Sequence, residues 1–205
     1  MSTVTENQNK LMELVANEVE KNNGFVFLAT LKDSGYPNQS SLNYLKKEGF
    51  EKISGGIYLS PLYYEDDMYV FQKRFAKGVY SHETALYLHN LSDVTPFNYT
   101  MTFPRGYHSK KIKEEPISVV WKDRSVWQED QTTVRSSNGN DIVVYSMERT
   151  LCDMFNTRYE ADEDVRLQAI VKYMKRADKN IPKLLNLAKR YNVLDKLKTY
   201  VEVLL

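Results

Sequence analysis

The sequence predicts an α+β protein, an N-terminal winged helix-turn-helix followed by a mixed α/β C-terminal domain that ends in helices. Three observations predict it. Short segments of helical character and a hairpin built around Gly55-Gly56 fill the first 60 residues. Strand-like runs broken by turn residues occupy the middle. From Met147 onward the apolar residues recur mainly at helical spacing.

Each element can be justified in order. Leu11, Leu14, Val15, Glu18 and Val19 mark a helix over Leu11–Glu20, which Asn22-Asn23-Gly24 stops. Phe25–Leu31 is a second short apolar segment of the three-helix set, closed by Asp33-Ser34-Gly35. Pro37-Asn38-Gln39-Ser40-Ser41 opens a third helix to about Lys47, ended by Gly49, with Leu42 and Leu45 turned inward beside Ser41. Asn38 is the expected cap of that helix. The β-prone run from Phe50 to Leu59 turns at Gly55-Gly56, where glycine adopts the positive φ of a tight hairpin without steric cost. Residues 60–76 read as a connector with a strand at Met68–Phe71.

Beyond it, Tyr80–Leu91 reads as a helix started by Ser81 and Glu83, with Ala85, Leu88 and Leu91 buried. Tyr99–Phe103, Ile117–Trp121, Thr132–Val134 and Ile142–Tyr145 read as strands, the last two joined by the turn Ser137-Asn138-Gly139-Asn140. Helices follow over Met147–Phe155, over 162–178 with the stripe Val165, Ala169, Tyr173, Met174 and Ala177, from Pro182 to Arg190, and over Val193–Val203. The expected division is 1–75, the winged helix-turn-helix with its connector, and 76–205, the C-terminal domain.

A hydrophobic share of 42% is ample for a packed core, yet no run reaches the ~18 apolar residues of a membrane span. The opening residues lack the apolar stretch of an export signal, so a cytoplasmic location is expected. The single cysteine, Cys152, has no partner for an internal disulfide. Net charge is +1, unevenly spread: residues 126–164 hold 3 Lys/Arg against 9 Asp/Glu, and residues 165–205 hold 10 against 3. A basic end of this kind marks either a nucleic-acid or acidic-partner surface or a solvated helical face.

With Leu42 and Leu45 inward, the third helix presents Asn38, Gln39, Ser40, Asn43, Tyr44, Lys46 and Lys47 to solvent, and the hairpin adds Lys52 and Ser54. Gln and Asn can pair bidentately with adenine, and lysines suit phosphate or guanine. These nine residues are the candidate DNA contacts. Because residues 1–60 hold 6 Lys/Arg against 7 Asp/Glu, binding by one module alone is expected to be weak and salt-sensitive. The same face read as merely solvated is the competing account.

His82 and His89 lie two helical turns apart, too far to share one metal ion, so structural hydrogen bonds are expected of them. Arg149 and Asp153 stand one turn apart and should pair along their helix, with Cys152 beside them as a small core residue. Arg105, Lys110, Lys111, Arg166, Lys172, Lys175, Arg176, Lys179 and Lys183 form a possible second nucleic-acid surface. No phosphate-binding glycine loop, nucleophile elbow or metalloprotease motif is present, and no catalytic residue, metal ligand or cofactor is assigned.

Two phrases carry a resemblance. The run Gly78-Val79-Tyr80-Ser81-His82-Glu83-Thr84-Ala85-Leu86, continuing to Asp93 and followed by Thr102-Phe103-Pro104-Arg105-Gly106-Tyr107, and the run from Tyr145 to Asp153 with Glu148-Arg149, resemble the AbiEi family of antitoxins. The resemblance covers nearly the whole chain. It implies an antitoxin of a bacterial type IV toxin–antitoxin system that limits phage spread by abortive infection. Such a protein is not an enzyme. It represses its own operon by binding promoter inverted repeats as two copies, and counters a nucleotidyltransferase-like toxin without forming a stable complex with it. The alternatives are a nucleic-acid- or tRNA-acting enzyme using the basic C-terminal surface, and an adaptor whose winged helix holds protein.

Overall fold

Apolar spacing and observed helix coincide only in part at the N-terminus of the computed structural model, which describes residues 2–159 and 161–204. Helix α1 spans Ser2–Lys21 and so begins well before Leu11. Residues 6–10 are exposed, and Lys10 pairs with Glu6 one turn away, at 2.8 Å. An exposed helical stretch such as residues 6–10 leaves no hydrophobic period to read.

The chain divides into two compact units, one of residues 1–71 and 135–141, the other of residues 72–134 and 142–205. In the first, Phe25–Phe27 is not helical as expected but a strand, β1, and only Leu28–Asp33 forms helix α2. Aromatic and β-branched residues favour the pleated backbone there. Helix α3 runs Asn38–Lys47, and the hairpin strands are β2, Glu51–Ser54, and β3, Ile57–Leu59. The sheet is antiparallel in the order β1-β3-β2, with Val26 opposite Tyr58 and Lys52 on the other side of the same Tyr58. Leu11, Val15, Val26, Leu31 and Leu45 make the core. Gly24 takes φ +96°, and a Cβ there would overlap the Tyr63 side chain, so no other residue fits this turn.

Residues 67–74 correct the expected strand at Met68–Phe71: they form helix α4, Asp67–Arg74. Met68, Tyr69, Val70 and Phe71 are all buried, and a short continuous apolar run has no period that separates strand from helix. Asp66 decides it by accepting the Tyr69 amide at 3.1 Å, as an N-cap does. The same buried carboxylate accepts from Ser136 Oγ at 2.5 Å and Asn140 Nδ2 at 2.7 Å, which fixes the turn 136–140 in the first unit.

The second unit is built on a five-stranded sheet: β4, Val79–Tyr80; β5, Tyr99–Pro104; β6, Ile117–Lys122; β7, Gln131–Arg135; and β8, Asp141–Tyr145. Their order is β6-β5-β4-β8-β7. Strand β4 pairs antiparallel with β5 and parallel with β8, and β5 pairs parallel with β6 from Tyr99↔Ile117 to Pro104↔Lys122. Helix α5 is His82–Leu88 and shorter than expected, since Val79–Tyr80 belongs to the sheet. Its fully buried residues include Leu86, while Leu88 is half-buried. Gly78 begins this segment because a Cβ would lie 2.7 Å from Phe103 Cζ.

Four helices complete the unit: α6, Met147–Met154; α7, Glu163–Met174; α8, Ile181–Arg190; and α9, Leu194–Leu204. Ser146, Asp162 and Asn180 cap the first three through their side-chain oxygens. Helix α7 stops short of the expected residue 178, leaving Ala177 exposed, and Asp178 grips the Arg176 guanidinium at 2.7 and 2.8 Å. Cys152 lies in the core with Leu151, Ile170, Tyr173, Leu184 and Leu197. The α+β class is therefore shown. No helix among the described residues is long and apolar enough to cross a membrane.

Candidate nucleic-acid interface

Helix α3 follows α2 after the four residues Ser34-Gly35-Tyr36-Pro37, a connection in which Gly35 takes φ +91° and Tyr36 donates its amide back to Leu31. Leu45 and Ser41 are fully buried, Leu42 and Tyr44 are half-buried, and the rest of the helix faces outward. Asn38, Gln39, Ser40, Asn43, Lys46 and Lys47 are all exposed, so the fold brings them onto one accessible helix. Gln39 donates to Asn43 Oδ1 at 2.9 Å, which pre-pairs the two amides able to read adenine.

The expected cap is corrected. Pro37 occupies the N-cap position, without a side-chain hydrogen bond, and Asn38 is the first helical residue. The amides of the first turn are consequently open to an anion or to water. At the other end, Lys46 and Lys47 lie in the last turn, where cations suit the helix dipole. The tyrosine between these ends is drawn inward: burial, aided by Glu48, raises the Tyr44 pKa.

Along α3 and the N-terminal part of α1 lies an open groove of about 830 Å³, to which Asn7, Asn9, Ser40, Asn43, Tyr44 and Lys47 contribute. Lys52 projects from β2 into solvent, and Ser54 beside the hairpin turn is partly exposed. The electrostatics work against tight binding, since the first unit holds 7 Lys/Arg against 11 Asp/Glu.

The second candidate surface is less open than its sequence suggests. Arg105 pairs with Asp123 at 3.2 Å, Arg166 with Glu163 at 3.4 Å, Lys172 with Asp93 at 2.6 Å, Arg176 with Asp178 at 2.7 Å and Lys183 with Glu148 at 3.0 Å. Lys179 donates to the Arg176 carbonyl. Lys110 and Lys111 are exposed on a 3-10 turn, and Lys175 is exposed at the end of α7. Within the basic tail, Lys172 and Lys183 are thus paired by acidic side chains distant in sequence, and Arg166 and Arg176 by near neighbours.

The resemblance phrases build the interior of the second unit. Thr102 Oγ1 donates to Ser81 Oγ at 2.9 Å, and Thr84 Oγ1 accepts the Thr100 amide at 2.7 Å. Ser81 does not cap α5 with its side chain, and Glu83 accepts from the Tyr159 hydroxyl instead. His89 Nε2 lies 2.7 Å from the Tyr145 carbonyl, and His82 Nδ1 lies 3.1 Å from Ser81 Oγ, both structural roles. His82 is buried at φ +51°. Burial, with Lys122 and Arg149 in support and Asp153 opposing, pushes its pKa down to about 4.

Arg149 and Asp153 are fully buried and paired at 3.0 Å, as their spacing predicts. The unexpected member is Lys122, the last residue of β6, whose ammonium meets the other Asp153 oxygen at 2.9 Å. Burial raises the Asp153 pKa, but Arg149, His82 and Lys122 outweigh it and hold the carboxyl below its ordinary value. Sequence spacing shows only helical neighbours, so a lysine arriving from a strand left no local signal. Burial also pushes the Cys152 thiol strongly up, which makes it a poor nucleophile. Among the described residues no cluster of His, Cys, Asp and Glu is placed to hold a metal ion.

No protein-family model matches the sequence, and no curated protein matches it. Among solved structures, the chain is similar to the crystal structure of the Rv2827c protein from Mycobacterium tuberculosis. The two share 12% identity, with 91% of this chain and 76% of that one covered at a TM-score of 0.56. At that identity the likeness concerns the fold alone.

Proposed function

We propose that the first unit is a winged helix-turn-helix that binds double-stranded DNA, with α3 as its recognition helix. One observation carries this reading: six polar residues predicted to meet DNA are exposed on α3, while Leu45 anchors the helix to the core. The element order α1-β1-α2-α3-β2-β3 and the antiparallel β1-β3-β2 sheet fit a winged helix, in which the β2–β3 turn is the wing. Gln39 and Asn43 read base edges, Lys46, Lys47 and Lys52 meet phosphates, and Asn38, Ser40, Tyr44 and Ser54 contact the flanking backbone.

The acidic balance of the unit limits what one copy can achieve. Two copies on an inverted repeat double the phosphate contacts, and affinity then depends steeply on salt. On the residue phrases of the second unit we extend the proposal to an AbiEi-type antitoxin. It represses its own operon and counteracts a nucleotidyltransferase-like toxin in the cytoplasm without a stable complex. The chemistry is recognition and not catalysis.

A mobility-shift titration of the full chain on its own upstream DNA tests the proposal. A shift at low salt that needs both arms of an inverted repeat is the expected result. Equal affinity for scrambled DNA of the same length removes the operator reading, and no shift at low salt removes DNA binding altogether. A nucleotidyltransferase reading frame adjacent to the gene is the expected genomic context.

A further inference from the structure

The second unit contains a cavity that the DNA-binding reading leaves without a role. It measures about 770 Å³, within the size range of small-ligand sites, and Arg149, Lys122, Asp153 and His82 line it. Six Lys/Arg and two Asp contribute to its walls. Trp121, Tyr159 and Tyr191 supply aromatic surface, Trp121 being 44% exposed.

Arg149 is the decisive residue. Its Nε is held by Asp153, and its Nη1 by the Tyr191 hydroxyl. Its guanidinium carbon stands 3.9 Å from the Tyr191 ring centroid and 4.9 Å from that of Tyr145. Nη2 is buried and has no hydrogen-bond partner among the described residues. A buried charged donor without an acceptor is costly, and guanidinium donors match phosphate oxygens. Asp153 is shared between Arg149 and Lys122, so the inner wall keeps one positive charge in excess. His82 adds none near neutral pH. At the rim, Arg105 and Arg190 pair with Asp123 and Glu129, whereas no carboxylate pairs with Arg158 or Lys196 among the described residues.

We infer that this cavity binds a mononucleotide, its phosphate taken by Arg149 and Lys122 and its base stacked on the exposed face of Trp121. Cations alone would suit any small phosphate ester. The aromatic wall beside them favours a nucleobase, since every base has a flat π-face that stacks on an aromatic side chain. Binding needs no bond to form or break. The site is independent of α3, so its loss leaves DNA binding unchanged.

Tryptophan fluorescence and calorimetry of the full chain test the inference, with ATP, GTP, inorganic phosphate and a short single-stranded RNA as separate titrants. Saturable binding of at least one nucleotide with Kd below about 1 mM is expected, inorganic phosphate binding at least about tenfold more weakly. Arg149→Lys should weaken it at least about tenfold through loss of the planar fork. The exposed pair Arg158→Gln with Lys196→Gln should weaken it at least about threefold without disturbing the fold, and decides the matter if Arg149→Lys does not fold. Trp121→Leu should remove the advantage of nucleotide over phosphate. The inference is overturned if no nucleotide saturates, if the rim variant binds as the parent does, or if only RNA binds.

Discussion

His82 shows how one buried side chain makes the fold sensitive to acid. The folded imidazole takes a proton only near pH 4, while the unfolded one does so near 6.5. As pH falls through that window the unfolded state binds the extra proton, so stability is lost progressively from about 6.5 down to 4 and then levels off. The loss is on the order of 3 kcal/mol. His89, whose pKa burial also lowers, adds in the same direction. His82→Asn, which tolerates the positive φ, should flatten most of this decline when urea midpoints are compared at pH 7 and pH 4.5. An equal decline in the variant would place the acid sensitivity elsewhere. Asp153, held below 3.8 by its cationic neighbours, contributes a further loss only at lower pH.

On the face proposed to meet DNA, single-residue variants should separate affinity from specificity. Lys46→Ala and Lys47→Ala should each weaken binding to all sequences and reduce the slope of log K against log salt by about one unit. Asn43→Ala should instead relax preference at particular base pairs, by about 1–3 kcal/mol per position. The Gln39–Asn43 bond must open or turn toward the base for this readout, so Gln39→Ala should share part of the effect. A binding-site selection with each variant checks the distinction; unchanged base preference in Asn43→Ala would remove it from the readout.

Elements were legible where burial imposes a period and illegible where it does not. Helix α3 could be read because Ser41 and Leu45 anchor one side and a polar run occupies the other. The exposed residues 6–10 of α1 and the all-buried run at Met68–Phe71 carry no such contrast, so the helix starts earlier than apolar spacing predicts and the buried run is helical where a strand is expected. The Arg149–Asp153 pair was legible because both partners share α6; Lys122 was not, because only tertiary folding brings β6 alongside. The decisive contact of α4, the Asp66 carboxylate, likewise depends on residues 136–140. Asp66→Ala should therefore destabilise the protein by about 3 kcal/mol in chemical denaturation, since a buried charged acceptor of three hydrogen bonds is lost. A change below about 0.5 kcal/mol, the usual effect of a surface substitution, would mean that this network carries little of the stability.

For the molecule as a whole, the first compact unit is discontinuous in sequence. Residues 135–141 belong with residues 1–71, so a fragment 1–75 leaves Asp66 without Ser136 and Asn140. Such a fragment should melt at a lower temperature than the first unit does within the intact chain, and should bind DNA more weakly. The acidic balance of that unit also explains why recognition is expected from paired copies on an inverted repeat and not from a single domain. The most direct test is an anisotropy titration of the intact chain on its upstream inverted repeat over a range of salt, comparing the parent with Lys46→Ala/Lys47→Ala. Docking of α3 in the groove predicts weaker binding and a salt slope shallower by about two units for each protein copy bound. Superimposable curves for the two proteins would contradict it.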